Sequence, residues 1–288
     1  MSAPPEEISG PSFDPLLPPQ MAAACEDVGV RKATMNIVSL AVLAGLAGAF
    51  ISLGAMLFTV TVASSDLGYG PTRLLGGAAF SLGLILVVIG GAELFTGNTL
   101  IVMGWASGKI STPLLLRNWT VVYAGNFAGS LLTVLLVYFT GQWEFNGGQI
   151  GASALKIADA KVDLEFGQAI ALGILCNALV TLAVWLSLSA RSNTDKILSI
   201  VFPITAFVAA GFEHSIANMY FVPMGILVKE HAAARSAADL SSSQLSNLTW
   251  GDFFLSNLLP VTIGNVIGGA LLVGAVYWFV YLRPRSQR

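Results

Sequence analysis

Charge is distributed along this chain in clumps, and between the clumps lie long apolar stretches. Uncharged runs cover 33–65, 74–92, 94–108, 118–143, 166–190, 197–212, 215–228 and 253–282. A membrane-spanning helix needs about 20 predominantly apolar residues, and four of the runs, 33–65, 118–143, 166–190 and 253–282, meet that length alone. The other four form two pairs, each a single apolar stretch interrupted near its middle by one acid, Glu93 in the first and Glu213 in the second. The pattern predicts an all-α protein with six crossings, of which the second and fifth are broken.

Composition leaves little room for a water-soluble reading. Of 288 residues 55% are hydrophobic and only 10% charged, and the mean hydropathy is +0.75, against roughly 25% charged residues in ordinary soluble domains. Lipid is therefore the expected solvent. The net charge of -2, without a basic face or an acidic tail, argues against nucleic acid and polyanionic partners. Two cysteines, Cys25 and Cys176, support neither a disulfide framework nor a metal cluster, and no metal or cofactor is expected. The first 30 residues are acidic and rich in Pro, with no basic start leading into an apolar run, so no cleaved signal peptide is expected.

Orientation follows from Lys and Arg. With the N-terminus in the cytoplasm, the inner segments hold Arg31, Lys32, Lys109, Arg117, Arg191, Lys196, Arg283, Arg285 and Arg288, and the outer ones Arg73, Lys156, Lys161, Lys229 and Arg235. The excess favours both termini inside. The expected organisation is a cytoplasmic segment over 1–32, a channel domain over 33–282 and a short tail over 283–288. The first segment is read either as a gate or as a floppy tail. The long polar segments near 144–165 and 229–252 are then outer loops.

An internal repeat fixes the architecture further. Glu93-Leu-Phe-Thr-Gly-Asn98 and Glu213-His-Ser-Ile-Ala-Asn218 share an E-x-x-x-x-N frame, with Gly91 and Gly211 each two residues ahead. Asn118 to Asn126 matches Asn257 to Asn265, with Gly129 and Gly268 following at equal distance. The order helix, broken helix, Gly-Asn helix recurs, giving repeats over 33–143 and 162–282. Three crossings per repeat force the second copy to enter from the opposite side, an inverted repeat of the kind channels and transporters use.

Irregular backbone at bilayer depth must be buried in protein or line a cavity, and an ionisable residue there costs about 2.5 to 3.5 kcal/mol on insertion scales. Glu93, Glu213 and His214 are the residues that qualify. Half-helices starting after Phe95 and after His214 would turn free N–H groups and positive dipole ends toward the centre, which suits a small anion. A bare carboxylate repels an anion, so Glu93 and Glu213 are read as structural groups holding the loops, with Lys32 and Lys161 as partners by symmetry. His214 is the only intramembrane histidine and is assigned a functional role. Thr96 supplies a hydroxyl at the opposite break. His231 is expected to be solvated in an outer loop.

At these motifs the chain resembles the formate/nitrite transporter family, most of all the bacterial formate channels. The matching pieces are Phe13-Asp14 with Leu16-Leu17-Pro18, Phe80 to Leu86, Gly91 to Thr96, Gly211 to Met219 and Asn257 to Gly269. The resemblance implies an aquaporin-like fold, a homopentamer with one pore per protomer, and a place in the bacterial inner membrane. It implies that Thr96 and His214 face one another in the pore, that Phe80 and Phe207 form an outer constriction, and that Leu84, Leu94 and Val180 form an inner one. Asn177 and Asn265 would lie near the His, and Lys161 would draw anions to the outer mouth. Gly97-Asn98 departs toward the nitrite branch, which leaves nitrite as the alternative to formate.

The mechanism expected from these residues is that of a permease, not an enzyme. A bare anion crossing two dry rings faces a large desolvation cost. His214 would offset it by giving formate a hydrogen bond or a proton, while Thr96 orients it; passive and proton-coupled flux both stay open at this point. A water or glycerol channel shares the six-helix plan, but no Asn-Pro-Ala triplet occurs. An intramembrane serine protease is the rival of another class. It fits poorly, because there is no G-x-S-x-G elbow and Ser215 directly follows His214.

Overall fold

The computed structural model describes residues 14–284; Phe13 and the tail beyond 284, including Arg285 and Arg288, lie outside them. The described chain is helical, with no strand among the described residues. α1 (Pro18–Thr34) starts at a proline, whose missing N–H costs nothing in a first turn. It is followed by α2 (Ile37–Val62), whose N-cap Asn36 accepts from Val38 and Ser39 N–H, and by α3 (Tyr69–Gly90). Short turns α4 (Phe95–Asn98) and α5 (Val102–Ala106), joined by a 3₁₀ turn, lead to α6 (Thr112–Phe139). The second half runs α7 (Gln149–Val162), α8 (Phe166–Ser189), α9 (Asn193–Ala209), α10 (Ser215–Val228), α11 (Ala232–Ala238) and α12 (Trp250–Leu282).

Five of these, α2, α3, α6, α8 and α12, are long and apolar enough to cross a membrane, and α10 is a shorter apolar helix. Their outward faces carry exposed Val42, Leu132, Leu136, Phe139 and Leu271, the surface a multi-pass protein offers to lipid or to a neighbouring subunit. Their inward faces meet through small residues. A Cβ on Gly129 of α6 would overlap the Gly45 carbonyl of α2, and one on Gly268 of α12 would overlap the Ile174 carbonyl of α8. With glycine at both places the backbones touch, the way helices gain packing where lipid offers no hydrophobic drive. α12 widens to π-helical turns over Phe253–Leu258, Ile267–Ala275 and Trp278–Leu282.

Three parts of the chain differ from the pattern-based expectation. Over 18–34 the N-terminal segment is no floppy tail: α1 buries Met21, Ala22, Cys25, Glu26, Gly29 and Ala33. Glu26 is ion-paired with Lys109, and the Arg117 guanidinium donates to the Ala33 and Met35 carbonyls. The long polar segments contain helices, α7 with Leu155 fully buried and α11 with Ala234 fully buried. His231 is half-buried, with its Nε2 2.7 Å from the Tyr138 hydroxyl and its ring 4.0 Å from that of Trp143. Each departure arises because low hydropathy was read as looseness, whereas a polar segment also orders when it caps a core.

Candidate functional site

Two sharp turns build the site. α3 ends at Gly91 (φ +78°) and α9 is followed by Gly211 (φ +78°), a left-handed conformation that a side chain resists. In each case the chain then runs extended for a few residues and restarts as a helix, at Phe95 and at Ser215. The exposed backbone groups are met by one asparagine per half. Asn126 Oδ1 accepts from Phe95 N–H (2.9 Å), and its Nδ2 donates to the Ala44 and Glu93 carbonyls (2.8 and 2.9 Å). Asn265 Oδ1 accepts from Ser215 N–H (2.9 Å), and its Nδ2 donates to the Gly173 and Glu213 carbonyls (2.8 and 2.9 Å). These six bonds are the same three made twice.

The two acids are held the same way. Glu93 Oε1 accepts from Lys32 Nζ at 2.8 Å, and Glu213 Oε1 from Lys161 Nζ at 2.7 Å. The second carboxylate oxygen accepts from Asn98 Nδ2 in one half and Asn218 Nδ2 in the other, both at 2.7 Å. Asn118 and Asn257 extend each network by donating to the carbonyls of Lys32 and Lys161 (3.0 and 2.8 Å). The copies differ in two contacts: Lys32 Nζ also donates to Asn98 Oδ1 (2.9 Å), whereas Asn218 Oδ1 is buried without a partner, and Asn257 Nδ2 also reaches Glu213 Oε2 (3.4 Å), a bond Asn118 does not make to Glu93. Each buried carboxylate thus accepts from an ammonium and from an amide and ties its turn to neighbouring elements.

Between the turns, Thr96 Oγ1 lies 3.0 Å from His214 Nε2, with both residues buried. His214 is also the N-cap of α10: its Nδ1 accepts from Ala217 N–H at 3.0 Å. With Nδ1 occupied as an acceptor, the hydrogen-bond network assigns the neutral ring's proton to Nε2, the atom facing Thr96. Asn177 joins the halves, its Nδ2 donating to the Asn265 carbonyl (2.6 Å), the Thr96 carbonyl and the Thr99 hydroxyl (both 3.3 Å).

One cavity reaches His214, and a second reaches Leu94 and Gly97 on the turn that carries Thr96. One, of about 540 Å³, is lined by Phe80, Phe207, Lys161, Arg73 and His214 among others. The other, of about 290 Å³, is lined by Leu84, Leu94, Lys32, Cys25 and Val184 among others. Phe80 and Phe207 meet edge to face with centroids 5.7 Å apart, and Phe207 lies 5.9 Å from the His214 ring. Val180 is fully buried and is not among the residues lining the smaller cavity, where Val184 stands one turn along the same helix.

Lys161 lies on the larger cavity but is not the exposed cation its place near an outer mouth suggests. Its side chain is 14% exposed, paired with Glu213 and set 5.3 Å from the Phe221 ring. Asn98, part of the departure from the formate-channel pattern, is spent on Lys32, Glu93 and Asn118. Sequence reasoning noted Asn98, Asn118, Asn126, Asn218 and Asn257 as repeat marks without giving them a role. The signal was the repeat itself: buried asparagines recurring at matched positions hold matched backbone.

A model of the family described as formate/nitrite transporter matches residues 19–279. The formate channel FocA of Escherichia coli (strain K12) is 47% identical over 278 residues, covering 96% of this chain and 98% of that one. The probable formate transporter of Methanothermobacter thermautotrophicus is 38% identical, covering 92% and 97%. A solved pentameric formate channel with formate bound superposes with a TM-score of 0.80 at 47% identity, over 86% of this chain and 98% of that one. A structure described as an FNT family ion channel gives 0.76 at 29% identity, over 91% and 98%. These relatives are channels and transporters rather than enzymes. Match and fold agree along nearly the whole length, and the chain belongs to the formate/nitrite transporter family.

Proposed function

We propose that the protein is a channel-like permease for small monovalent anions, formate foremost, working as a homopentamer in the bacterial cytoplasmic membrane with one pore per protomer. Six crossings are formed by α2, by α3 with α4 and α5, by α6, by α8, by α9 with α10, and by α12, in two inverted repeats over 33–143 and 162–282. The doubled asparagine and Lys–Glu networks support this arrangement. The Lys and Arg excess supports cytoplasmic termini, which makes the smaller cavity the inner one.

The observation that carries the reading is a single buried polar contact, Thr96 to His214, with one cavity at His214, another at the turn that carries Thr96, and apolar side chains flanking it. An anion leaving either cavity sheds water at Phe80 and Phe207 or at Leu84 and Leu94. It then needs a donor inside. His214 Nε2–H is such a donor once Thr96 yields it, and the Thr96 hydroxyl supplies another. Asn177 and Asn265 position both turns, Val180 backs the inner ring, and Lys32, Glu93, Lys161 and Glu213 hold the loops that present the two groups. Donation from the neutral ring requires no titration of His214, so hydrogen bonding is the part of the proton-coupled mechanism that this geometry favours.

The test is uptake by liposomes containing only this protein. Formate enters fastest, acetate more slowly and lactate slowest, with glycerol near the rate of empty liposomes. Equal flux of glycerol and formate refutes the reading, and nitrite outpacing formate moves the protein to the nitrite branch.

A further inference from the structure

We propose that Lys196, at the inner end of α9, is the charge that gathers anions into the smaller cavity. This rests on the anion-permease reading and adds the residue that admits the anion from the inner side.

The smaller cavity is lined by two lysines and one acid: Lys32, Lys196 and Glu93. Lys32 is the obvious collector, but its ammonium is committed. It donates to Glu93 Oε1 at 2.8 Å and to Asn98 Oδ1 at 2.9 Å, and the Glu93 charge cancels its own. Lys196 is half-buried, and among the described residues its ammonium has no ion pair or hydrogen bond. Its neighbour Asp195 is turned to the helix cap, where the carboxylate accepts from the Arg191 and Ser192 N–H groups. One positive charge in the lining is therefore uncompensated, and it belongs to Lys196.

Helix stability does not account for a lysine at this place. Lys196 lies in the first turn of a 17-residue helix, where the dipole is positive and a cation is disfavoured. The same field adds to the attraction for an anion. The remaining walls include Leu84, Val87, Leu94 and Val184, and a cleft with apolar walls and a net positive charge focuses field lines and raises the local anion concentration.

Sided membrane vesicles test the proposal. Radiolabelled formate uptake is measured at low formate in everted vesicles, which present the cytoplasmic face, and in right-side-out vesicles. Sidedness is fixed by protease access to a C-terminal tag. In low salt, Lys196→Gln lowers the initial rate from the tagged face by about two- to threefold, the effect of one unit charge some 6 to 10 Å away in water. From the other face the change is less than half as large. At about 1 M salt, where the Debye length is near 3 Å, the difference disappears, and Lys196→Arg behaves as wild type throughout. An unchanged rate, an equal loss from both faces, or a loss that persists in high salt overturns the assignment. Failure of the permease reading is distinct: wild-type vesicles would then take up formate no faster than vesicles lacking the protein.

Discussion

One imidazole does two jobs at the start of α10, and replacing His214 by Asn or by Phe separates them. Nδ1 caps the helix by accepting from Ala217 N–H, and Nε2 holds Thr96 across the centre. Asn is among the best N-cap residues, so His214→Asn keeps the cap while falling short of Thr96. His214→Phe keeps ring volume but loses both, and the lost cap alone costs about 1 kcal/mol. Both variants remove the donor that we propose meets the anion. A hydrogen bond to a charged group contributes about 1.5 to 3 kcal/mol, which corresponds to a rate lower by about tenfold to somewhat over a hundredfold. The assay pairs initial formate uptake in proteoliposomes with thermal unfolding of the detergent-solubilised protein. Uptake falls in both variants, and only the Phe variant loses the stability of the cap. Wild-type uptake by either variant would refute the donor role, and equal stability losses would refute the cap.

Two further outcomes follow from the surrounding networks. Lys161→Met leaves the Glu213 carboxylate buried without its cation and lowers stability by about 3 to 5 kcal/mol, whereas Lys161→Met with Glu213→Gln recovers most of the loss; equal thermal unfolding of the single and double variants would show that the pair does not hold the turn. Burial pushes the Cys25 thiol up to about 12, with Lys32 lowering it and Glu26 raising it. Although it lines the smaller cavity, Cys25 therefore stays a thiol at about pH 7.5 and resists maleimide. Ready labelling, read by mass spectrometry of the α1 peptide, would mean that α1 lifts from its seat.

Charge spacing alone marked the long apolar helices, because each residue's transfer into hydrocarbon is a local property that adds along a helix. It also singled out Glu93 and Glu213, which in the structure stand just ahead of the helices that start at Phe95 and Ser215. The matched Asn126 and Asn265 were visible as a repeat, but their bonds to Phe95 and Ser215 N–H were not, because a side chain's partner is set by which backbone group the fold leaves bare. The tertiary structure decided the rest. Thr96 and His214 lie 118 residues apart in sequence and touch only because the two halves close on one another. The repeat symmetry pointed to the Lys161–Glu213 pair that the structure contains, but low hydropathy gave no sign that α1 would wall a cavity or that His231 would pack against Trp143, and nothing in the spacing told that Lys196 would line that cavity. Exposure and pairing are properties of the assembled surface, and a sequence read one residue at a time carries only the charge, not what stands opposite it.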